Sequence, residues 1–443
     1  MSSTLLQART AAEELIAFID ASPSPWHAVA SCEQRLQDNG FSRLNEADRW
    51  QLAPGGRYYV VRGGASIIAF VLGSQPLAEA GLRIVGAHTD SPGLRLKPNA
   101  AQASDGLLRL AVEVYGGPIL ATFTDRDLSL AGRVVLRSGS GVETRLLRCE
   151  RPLLRLPNLA IHMNREVNEK GLKLDKQSEL PLILGMAGAA ASAEEAGAQL
   201  RSLLAGALHA EASDLLSWEL AAYDVQKGAF WGAEEEFIAA SRLDNLASCH
   251  AALAALLATG VAEGTTIAAF FDHEEVGSES ATGAGGSFIA DVLARIADQC
   301  GLDSEDRRRC LARSFFVSAD MAHAYQPNFP AAYEPGHKLL VNGGPAIKSN
   351  ANQRYSTNAE TAAHFMRLCE QAGVPCQQYS HRSNLGCGST IGPLLAAQLG
   401  IASVDVGSPL WAMHSLRESA GVLDHAWMIA ALAAHFSSPL PLR

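Results

Sequence analysis

The chain has little cysteine and no CxxC pair. Its eight cysteines stand at scattered positions among 443 residues, far fewer than a disulfide-stabilised scaffold contains. The sequence therefore predicts a protein whose thiols stay reduced, and the cytoplasm is the expected compartment.

Basic residues and long apolar runs are also scarce. Lys and Arg number 36 against 46 Asp and Glu, which gives a formal net charge of −10. The chain therefore lacks the overall positive charge that attracts nucleic acid or an anionic membrane. The longest uncharged stretch, residues 383–404, is broken by glycines and a proline, whereas a membrane span needs ~20 mostly apolar residues. Glu13 and Glu14 interrupt the first apolar segment, so no signal peptide is expected. We therefore expect neither nucleic acid nor a membrane as a partner.

The apolar content is high enough for a large core. Hydrophobic residues make up 48% of the chain and charged residues 19%, a composition that excludes wholesale disorder. At ~150 residues per domain, the length favours two or three domains, and two is the simpler expectation.

The two ends of the chain share a strand-then-helix pattern that the middle lacks. Buried strands are expected at 83–86, 266–271, 315–318 and 401–406, and helices at 246–257, 288–297 and 420–435. The middle has strand-like runs such as 107–115 and 127–136, with an Ala-rich helix and loop over 189–212. We interpret residues 1–93 and 238–443 as one discontinuous α/β domain and residues 94–237 as a β-rich insert.

Histidine and acidic residues follow the predicted strands, at the point where each strand ends. His88 and Asp90 follow one strand, residues 272–275 a second, and Asp320 a third, while His414 lies shortly after a fourth. Ligands bind outside the carboxyl ends of parallel strands in open α/β sheets, so these side chains are expected to converge. Histidine and carboxylates together can form a two-metal site that hydrolyses a polarised carbonyl.

The spacing within these segments suggests separate roles for neighbouring residues. His88 would bind metal, and Asp90, on the same side of an extended chain, could orient the imidazole ring of His88. Consecutive side chains diverge at a strand end, so one of Glu274 and Glu275 would bind metal while the other takes a proton from water.

Seven segments, in this order across nearly the whole chain, closely resemble the aspartyl aminopeptidase family of metallopeptidases. They are HTDSPG at 88–93, SRLDN at 241–245, DHEEVGS at 272–278, SADMAHA at 318–324, GPAIKSNANQRY at 344–355, CGSTIGP at 387–393 and MHS at 413–415. SPWH at 24–27 and NLAIH at 158–162 add to the resemblance. It implies a zinc-aminopeptidase-like three-layer sheet domain whose β-rich insert is a dimerisation domain.

The resemblance also implies a site with two divalent metal ions, Zn²⁺ in the first instance, with Mn²⁺ or Co²⁺ as alternatives. The implied roles are a bridging Asp244, His88 and Asp320 on one ion, Glu275 and His414 on the other, and Glu274 as general base. The implied reaction is hydrolytic removal of an N-terminal Asp or Glu from a peptide.

The same resemblance places His323 and Lys348 beside the substrate, where the lysine would pair with the acidic side chain. His162 matches a histidine that reaches the active site of a neighbouring subunit, in a family that assembles as tetrahedral dodecamers built from dimers. The chain departs from the family pattern at Gln326, where family members often carry His, a change that bears on substrate preference. Two alternatives stay open: a di-zinc hydrolase or aminopeptidase of other specificity, and a non-catalytic, peptide-holding cage.

Overall fold

The computed structural model describes residues 3–188 and 191–439, and the chain forms two compact units. Unit 1 comprises Met1–Asp90, Gly228–Met413 and Glu418–Arg443, and unit 2 comprises Ser91–Lys227 and His414–Arg417. The domain division predicted from the sequence stays a prediction.

The helices and strands follow one another along the described chain as follows. The strands are β1 (Ser42–Leu44), β2 (Arg57–Arg62), β3 (Ser66–Val71), β4 (Leu82–His88), β5 (Gly93–Ser104), β6 (Leu107–Tyr115), β7 (Leu128–Ser138), β8 (Gly141–Arg148), β9 (Leu182–Met186), β10 (Leu215–Asp224), β11 (Ala229–Trp231), β12 (Phe237–Ala240), β13 (Thr265–Phe271), β14 (Phe315–Ala319), β15 (Ala322–His323), β16 (Ala346–Ser349), β17 (Gln377–Ser380), β18 (Ala402–Gly407), β19 (Pro409–Trp411) and β20 (Glu418–Gly421). The α-helices are α1 (Ser3–Ala21), α2 (Pro25–Asp38), α3 (Leu77–Ala80), α4 (Val167–Lys170), α5 (Ala193–Leu208), α6 (Leu243–Thr259), α7 (Phe288–Gln299), α8 (Ser304–Ala312), α9 (Ala359–Ala372), α10 (Ile391–Leu399) and α11 (Val422–Ser437).

Unit 1 is built on one large sheet. Its described strands lie in the order β1-β2-β3-β13-β4-β14-β18-β16-β17. The central strands β13, β4, β14 and β18 run parallel to one another. Every residue of β4, β13 and β14 is buried, which is typical of a parallel sheet covered on both faces.

Helices cover the two faces of this sheet, and alternate residues of each strand face opposite layers. In β13, Ala268 and Phe270 pack into a core shared with α1, α2, α6, α9 and α11. Ile267, Ala269 and Phe271 pack into a second core with α7 and α10. The three-layer α/β arrangement predicted from the sequence is confirmed.

A smaller sheet also belongs to unit 1, with its described strands in the order β11-β12-β20-β19-β15. It joins two chain regions of this unit, because β12 and β20 pair antiparallel and β15 pairs parallel with β19. His323, one of the residues singled out from the sequence, lies on β15 opposite Leu410.

Unit 2 is β-rich. Its large sheet has the described strands in the order β8-β7-β10-β5-β6-β9, and these neighbours pair antiparallel. Buried leucines of the sheet share a core with α5, which begins with a capping box between Ser192 and Glu195. Helix α5 lies in the stretch predicted as helix and loop, of which residues 189 and 190 fall outside the described residues.

The strongest secondary-structure predictions are confirmed. The strands expected at 266–271, 315–318 and 401–406 are β13, β14 and β18, and the helices expected at 246–257 and 288–297 are α6 and α7. None of the helices in the described part of the chain is long and apolar enough to cross a membrane.

Candidate metal centre

Parallel strands of unit 1 end beside one another and bring the predicted residues together. His88 is the last residue of β4 and lies in register with Phe271, the last residue of β13. Asp320 directly follows β14, and Asp244 lies in the first turn of α6. This edge is where ligands bind in open α/β sheets.

The side chains of these residues form a compact cluster around His88. The Nε2 atom of His88 lies 3.5 Å from Asp244 Oδ1, 3.6 Å from Asp320 Oδ1 and 3.9 Å from Glu274 Oε2. His88 belongs to two sets of possible ligand atoms, one with Glu274 and Glu275 and one with Asp244 and Asp320; within each set the atoms lie within 4.8 Å of one another. Nitrogen and oxygen donors at these separations could hold a divalent metal ion.

Asp90 connects two parts of this cluster. Its carbonyl oxygen lies 3.0 Å from His88 Nδ1 and its Oδ1 atom 3.4 Å from the same nitrogen. Its carboxylate also accepts the backbone N–H groups of Glu274 and Glu275, both at 3.1 Å. Asp90 therefore contacts the imidazole ring and also fixes the turn that carries both glutamates.

The two glutamates lie on a tight turn and not on an extended strand end. His273 has a left-handed backbone conformation, with φ 64°, and a 3-10 turn spans Glu274–Val276. The expectation that their side chains diverge because the chain is extended was therefore wrong in its geometry. The ring of His273 itself hydrogen-bonds to the Ser280 hydroxyl, at 2.8 Å.

Several carboxylates are concentrated in this largely buried cluster. Burial disfavours the charged form of His88, but hydrogen bonds to Asp244, Asp320 and Asp90 outweigh it and raise the pKa of His88 well above its ordinary value. Burial also raises the pKa of Glu274 to about 8. Carboxylates held together away from water favour a cation among them, so this donor set fits a divalent metal ion.

Lys348 is a buried cation beside the cluster. Its Nζ atom donates to Asp320 Oδ2 at 3.1 Å and to the carbonyl of Met321 at 3.2 Å, and it lies 5.1 Å from the centre of the Tyr355 ring. The other carboxylate oxygen of Asp320 faces His88. Asp320 therefore contacts both the histidine and the lysine.

The His323 ring lies beside two other rings. Its ring centre is 5.9 Å from that of Tyr379 and 5.9 Å from that of His381. Burial, together with the charges of Lys348 and His381, lowers the pKa of His323 to about 4. The imidazole is therefore neutral at neutral pH.

Two of the predicted residues belong to unit 2. His414 has its Nδ1 atom 3.1 Å from the carbonyl of Gly117, and its own carbonyl accepts the N–H of Ile119 at 2.9 Å. His162 lies on an exposed turn. The roles expected for these two histidines stay predictions.

Three buried residues that support the cluster were not predicted from the sequence. The Cys249 thiol donates to the carbonyl of His88 at 3.0 Å, Asn245 donates to the carbonyl of Ala319 at 2.9 Å, and Glu418 accepts the N–H of Asp244 at 2.9 Å. Asn245 stands in the SRLDN segment, which is a signal that could have been used. Glu418 lies 174 residues from Asp244, and no local pattern marks it.

A comparison with known protein families shows which family the chain belongs to. The model of the family described as Aminopeptidase I zinc metalloprotease (M18) matches residues 18–436. The chain belongs to the M18 family. The resemblance found in the sequence is confirmed at this level, and this M18 chain is a hydrolase of the zinc aminopeptidase class.

Relatives of this M18 chain match over nearly its full length. It is 48% identical over 430 residues to the probable M18 family aminopeptidase 2 of Azotobacter vinelandii, covering 96% of this chain and 98% of that protein. The cryo-EM structure of the Ape4 and Nbr1 complex contains a similar chain, with a TM-score of 0.95 and 37% identity, covering 99% of this chain and 87% of that one. The S. cerevisiae mApe1 dodecamer has a TM-score of 0.84 and 27% identity, covering 97% of this chain and 96% of that one.

Proposed function

We propose that this M18 aminopeptidase removes N-terminal Asp or Glu from peptides. The observation that carries this specificity is the buried ammonium group of Lys348, whose Nζ atom is 3.1 Å from Asp320 in the carboxylate cluster. A substrate bound with its scissile carbonyl at the cluster would bring its first side chain close to this cation.

Lys348 retains the capacity to bind a further anion. An ammonium group has three protons to donate, and Asp320 and Met321 account for two among the described residues. The third suits a side-chain carboxylate, because a charge-assisted hydrogen bond in a site shielded from water is stronger than a neutral one. A neutral substrate side chain would leave this part of the cation unsatisfied.

The family is one of zinc metalloproteases, and we propose two ions in this chain, with Mn²⁺ or Co²⁺ as alternatives to Zn²⁺. Asp244 would bridge the ions, His88 and Asp320 would complete one, and Glu275 and His414 would complete the other. Ions held there would polarise the scissile carbonyl and make water a better nucleophile.

Glu274 is the proposed general base. Its carboxylate is next to the cluster, with Oε2 3.9 Å from His88 Nε2, and Asp90 fixes its backbone at 3.1 Å. It would take a proton from the attacking water and return it to the leaving amine, which needs a carboxyl group near both.

Hydrolysis of p-nitroanilides of Asp, Glu, Leu and Ala by the purified protein tests this proposal. Each is measured before chelation, after chelation, and after Zn²⁺, Mn²⁺ or Co²⁺ is added back. We expect turnover of the Asp and Glu substrates alone, lost on chelation and restored by metal. Equal turnover of Leu and Ala substrates would contradict the acidic specificity while leaving the metallopeptidase intact.

An aminopeptidase or amidohydrolase of other specificity is the second candidate, favoured only by the departure at Gln326. The side chain of Gln326 accepts the N–H of Asn328 at 2.8 Å, so it is engaged within its own loop. The non-catalytic cage would be supported by bound zinc without turnover of any of the four substrates.

We further propose that the chain assembles into dimers through the insert and into a tetrahedral dodecamer, with His162 completing a neighbouring subunit's site. Exposed apolar residues flank His162: Leu159 is 67% and Met163 76% accessible, which favours burial against a partner. The mApe1 structure is itself a dodecamer. Light scattering of the purified protein should give a dodecamer, and His162→Ala should lower activity without lowering zinc content. A fully active monomer would contradict the shared site.

A further inference from the structure

Cys369 and Cys376 are brought together by the end of helix α9. The helix ends at Gly373, which has φ 66° and donates its N–H to the carbonyls of Cys369 and Glu370. The N–H of Val374 also bonds to the carbonyl of Cys369, at 2.9 Å. This left-handed turn reverses the chain, so that Cys376 returns onto the last turn of the same helix.

The two thiols differ in exposure but share one environment. Cys369 is 1% accessible and lies within the apolar core beneath α9, and the partly buried Cys376 packs against that core. The side chain of Cys376 lies close enough to that of Cys369 to interact with it, and this interaction, together with burial, raises the pKa of the Cys369 thiol. The Cys376 thiol also donates to the carbonyl of Gln377, at 3.7 Å. Cys376 is the partly exposed thiol of the pair and Cys369 the buried one, so Cys376 is the thiol that a hydroperoxide in solvent can reach.

We propose that Cys369 and Cys376 form a dithiol site that hydroperoxides oxidise to an intrachain disulfide. The thiolate of Cys376 attacks the peroxide oxygen, so that the O–O bond breaks, an alcohol or water leaves, and Cys376 becomes a sulfenic acid. The Cys369 sulfur then attacks the Cys376 sulfur, the S–S bond forms and one water departs. Two thiols lose two electrons and one hydroperoxide gains them, and reduction by a dithiol reverses the change.

The site lies at the beginning of a strand of the large sheet. Cys376 directly precedes β17, and Tyr379 on β17 is in register with Lys348 on β16. A disulfide would tie the start of β17 to the end of α9. The inference does not depend on the substrate specificity proposed above, because it concerns only these two thiols.

Peptide mapping of the whole protein tests the proposal directly. Both cysteines fall in one tryptic peptide, residues 368–382, because no Lys or Arg lies between Arg367 and Arg382. After treatment with hydrogen peroxide and alkylation of the remaining thiols, we expect this peptide to lack both alkyl groups and two hydrogens. Cleavage after Glu370 with a glutamyl endopeptidase should then leave its two parts joined until a reductant is added.

Single variants separate the pair from general oxidation. Cys376→Ser and Cys369→Ser should each abolish the loss of two hydrogens, whereas Cys300→Ser, which removes an exposed cysteine, should retain it. The proportion of linked peptide should match wild type in that control. Two alkylated cysteines after peroxide, or a sulfinic acid at Cys376 beside an alkylated Cys369, would overturn the proposal.

Discussion

The carboxylate of Asp90 accepts the backbone N–H of Glu274 at 3.1 Å, although 184 residues separate the two in the chain. The neighbouring N–H of Glu275 bonds to the same carboxylate at 3.1 Å. Asp90 is fully buried, so water cannot replace it as the acceptor. It therefore links the end of β4, which carries His88, to the turn that carries the glutamates.

Replacing Asp90 with Asn should disturb this link without removing a proposed ligand. An amide has one acceptor oxygen where the carboxylate has two, and a buried N–H left unsatisfied costs about 1–3 kcal/mol. We expect kcat to fall ~10–100-fold with a smaller change in KM and with zinc retained. Steady-state kinetics and elemental analysis check this, with the exposed Asp48→Asn as control. Unchanged kcat would show that Asp90 does not position the glutamates.

Glu274→Gln should separate metal binding from proton transfer. Glutamine keeps the shape of the side chain but cannot accept the proton of water, and loss of acid–base help costs ~10²–10⁴-fold in rate. Zinc content should stay at the wild-type level, since Glu274 is not among the proposed ligands. The exposed Glu279→Gln on the same loop should turn over normally. Near wild-type turnover of Glu274→Gln would assign the base elsewhere.

The sequence predicts much of the composition of this cluster because one simple rule of parallel sheets brings its residues together. Parallel strands that end at one edge bring the residues that follow them together, so His88, Glu274 and Asp320 could be expected to meet. The buried apolar runs of β4, β13 and β14 predicted the strands themselves. Asp244 lies on a helix and not at a strand end, and only the family resemblance pointed to it.

The interactions that hold the cluster could not be predicted in the same way. The hydrogen bond between Glu418 and the N–H of Asp244 spans 174 residues, and that of Asp90 to Glu274 spans 184. Such bonds depend on how distant elements finally pack together. The periodic pattern of apolar residues within one helix or strand holds no information about that packing. The sequence likewise predicts an extended strand end where the structure has the turn at Glu274–Val276, because a left-handed His273 leaves no clear mark in the sequence.

Lys348→Met should reduce the preference for acidic substrates. Methionine preserves much of the apolar volume but removes the cation, and a hydrogen bond to a charged group is worth about 1.5–3 kcal/mol. We expect kcat/KM for Asp and Glu substrates to fall ~10–100-fold and the values for Leu and Ala to change little. Zinc content reports whether Asp320 still binds, and the exposed Lys338→Met is the control. An equal loss for all four substrates would contradict the specificity role.

The buried pair His250 and His425 should make the fold sensitive to acid. Their facing nitrogens are 2.9 Å apart, and burial lowers the pKa of His425 to about 3 and that of His250 well below its ordinary value. The unfolded histidines take up protons below about pH 6.5, while the folded ones do not. The stability they contribute is therefore present above about pH 6.5 and is lost as the pH falls toward the folded-state pKa.

Urea unfolding at a series of pH values measures this effect. Each histidine should lower the free energy of unfolding by about 1.4 kcal/mol per pH unit below about 6.5. In the double variant His250→Gln with His425→Gln, the free energy of unfolding should depend less steeply on pH, by the equivalent of about two protons. The buried His435 accounts for part of the pH dependence that remains. Equal slopes for the variant and the wild type would show that this pair is not responsible.

Gly407→Ala should displace Asp320. A Cβ atom at Gly407 on β18 would lie 1.9 Å from the carbonyl oxygen of Asp320 and 2.9 Å from the carbonyl carbon of Met321. These are backbone atoms, held in place by the bond from the Asp320 N–H to Val406 at 2.9 Å, so β18 or Asp320 must move. We expect the free energy of unfolding to fall by about 1–3 kcal/mol, as for overpacked cores, together with a loss of bound zinc. In the control Gly206→Ala in α5, a Cβ would meet no described atom within 4 Å beyond its chain neighbours and the backbone of its own helix, and the free energy of unfolding should instead rise by up to about 1 kcal/mol. If Gly407→Ala had the stability and zinc content of the wild type, the backbone beside Asp320 would be able to move without disturbing the cluster, and the prediction would be wrong.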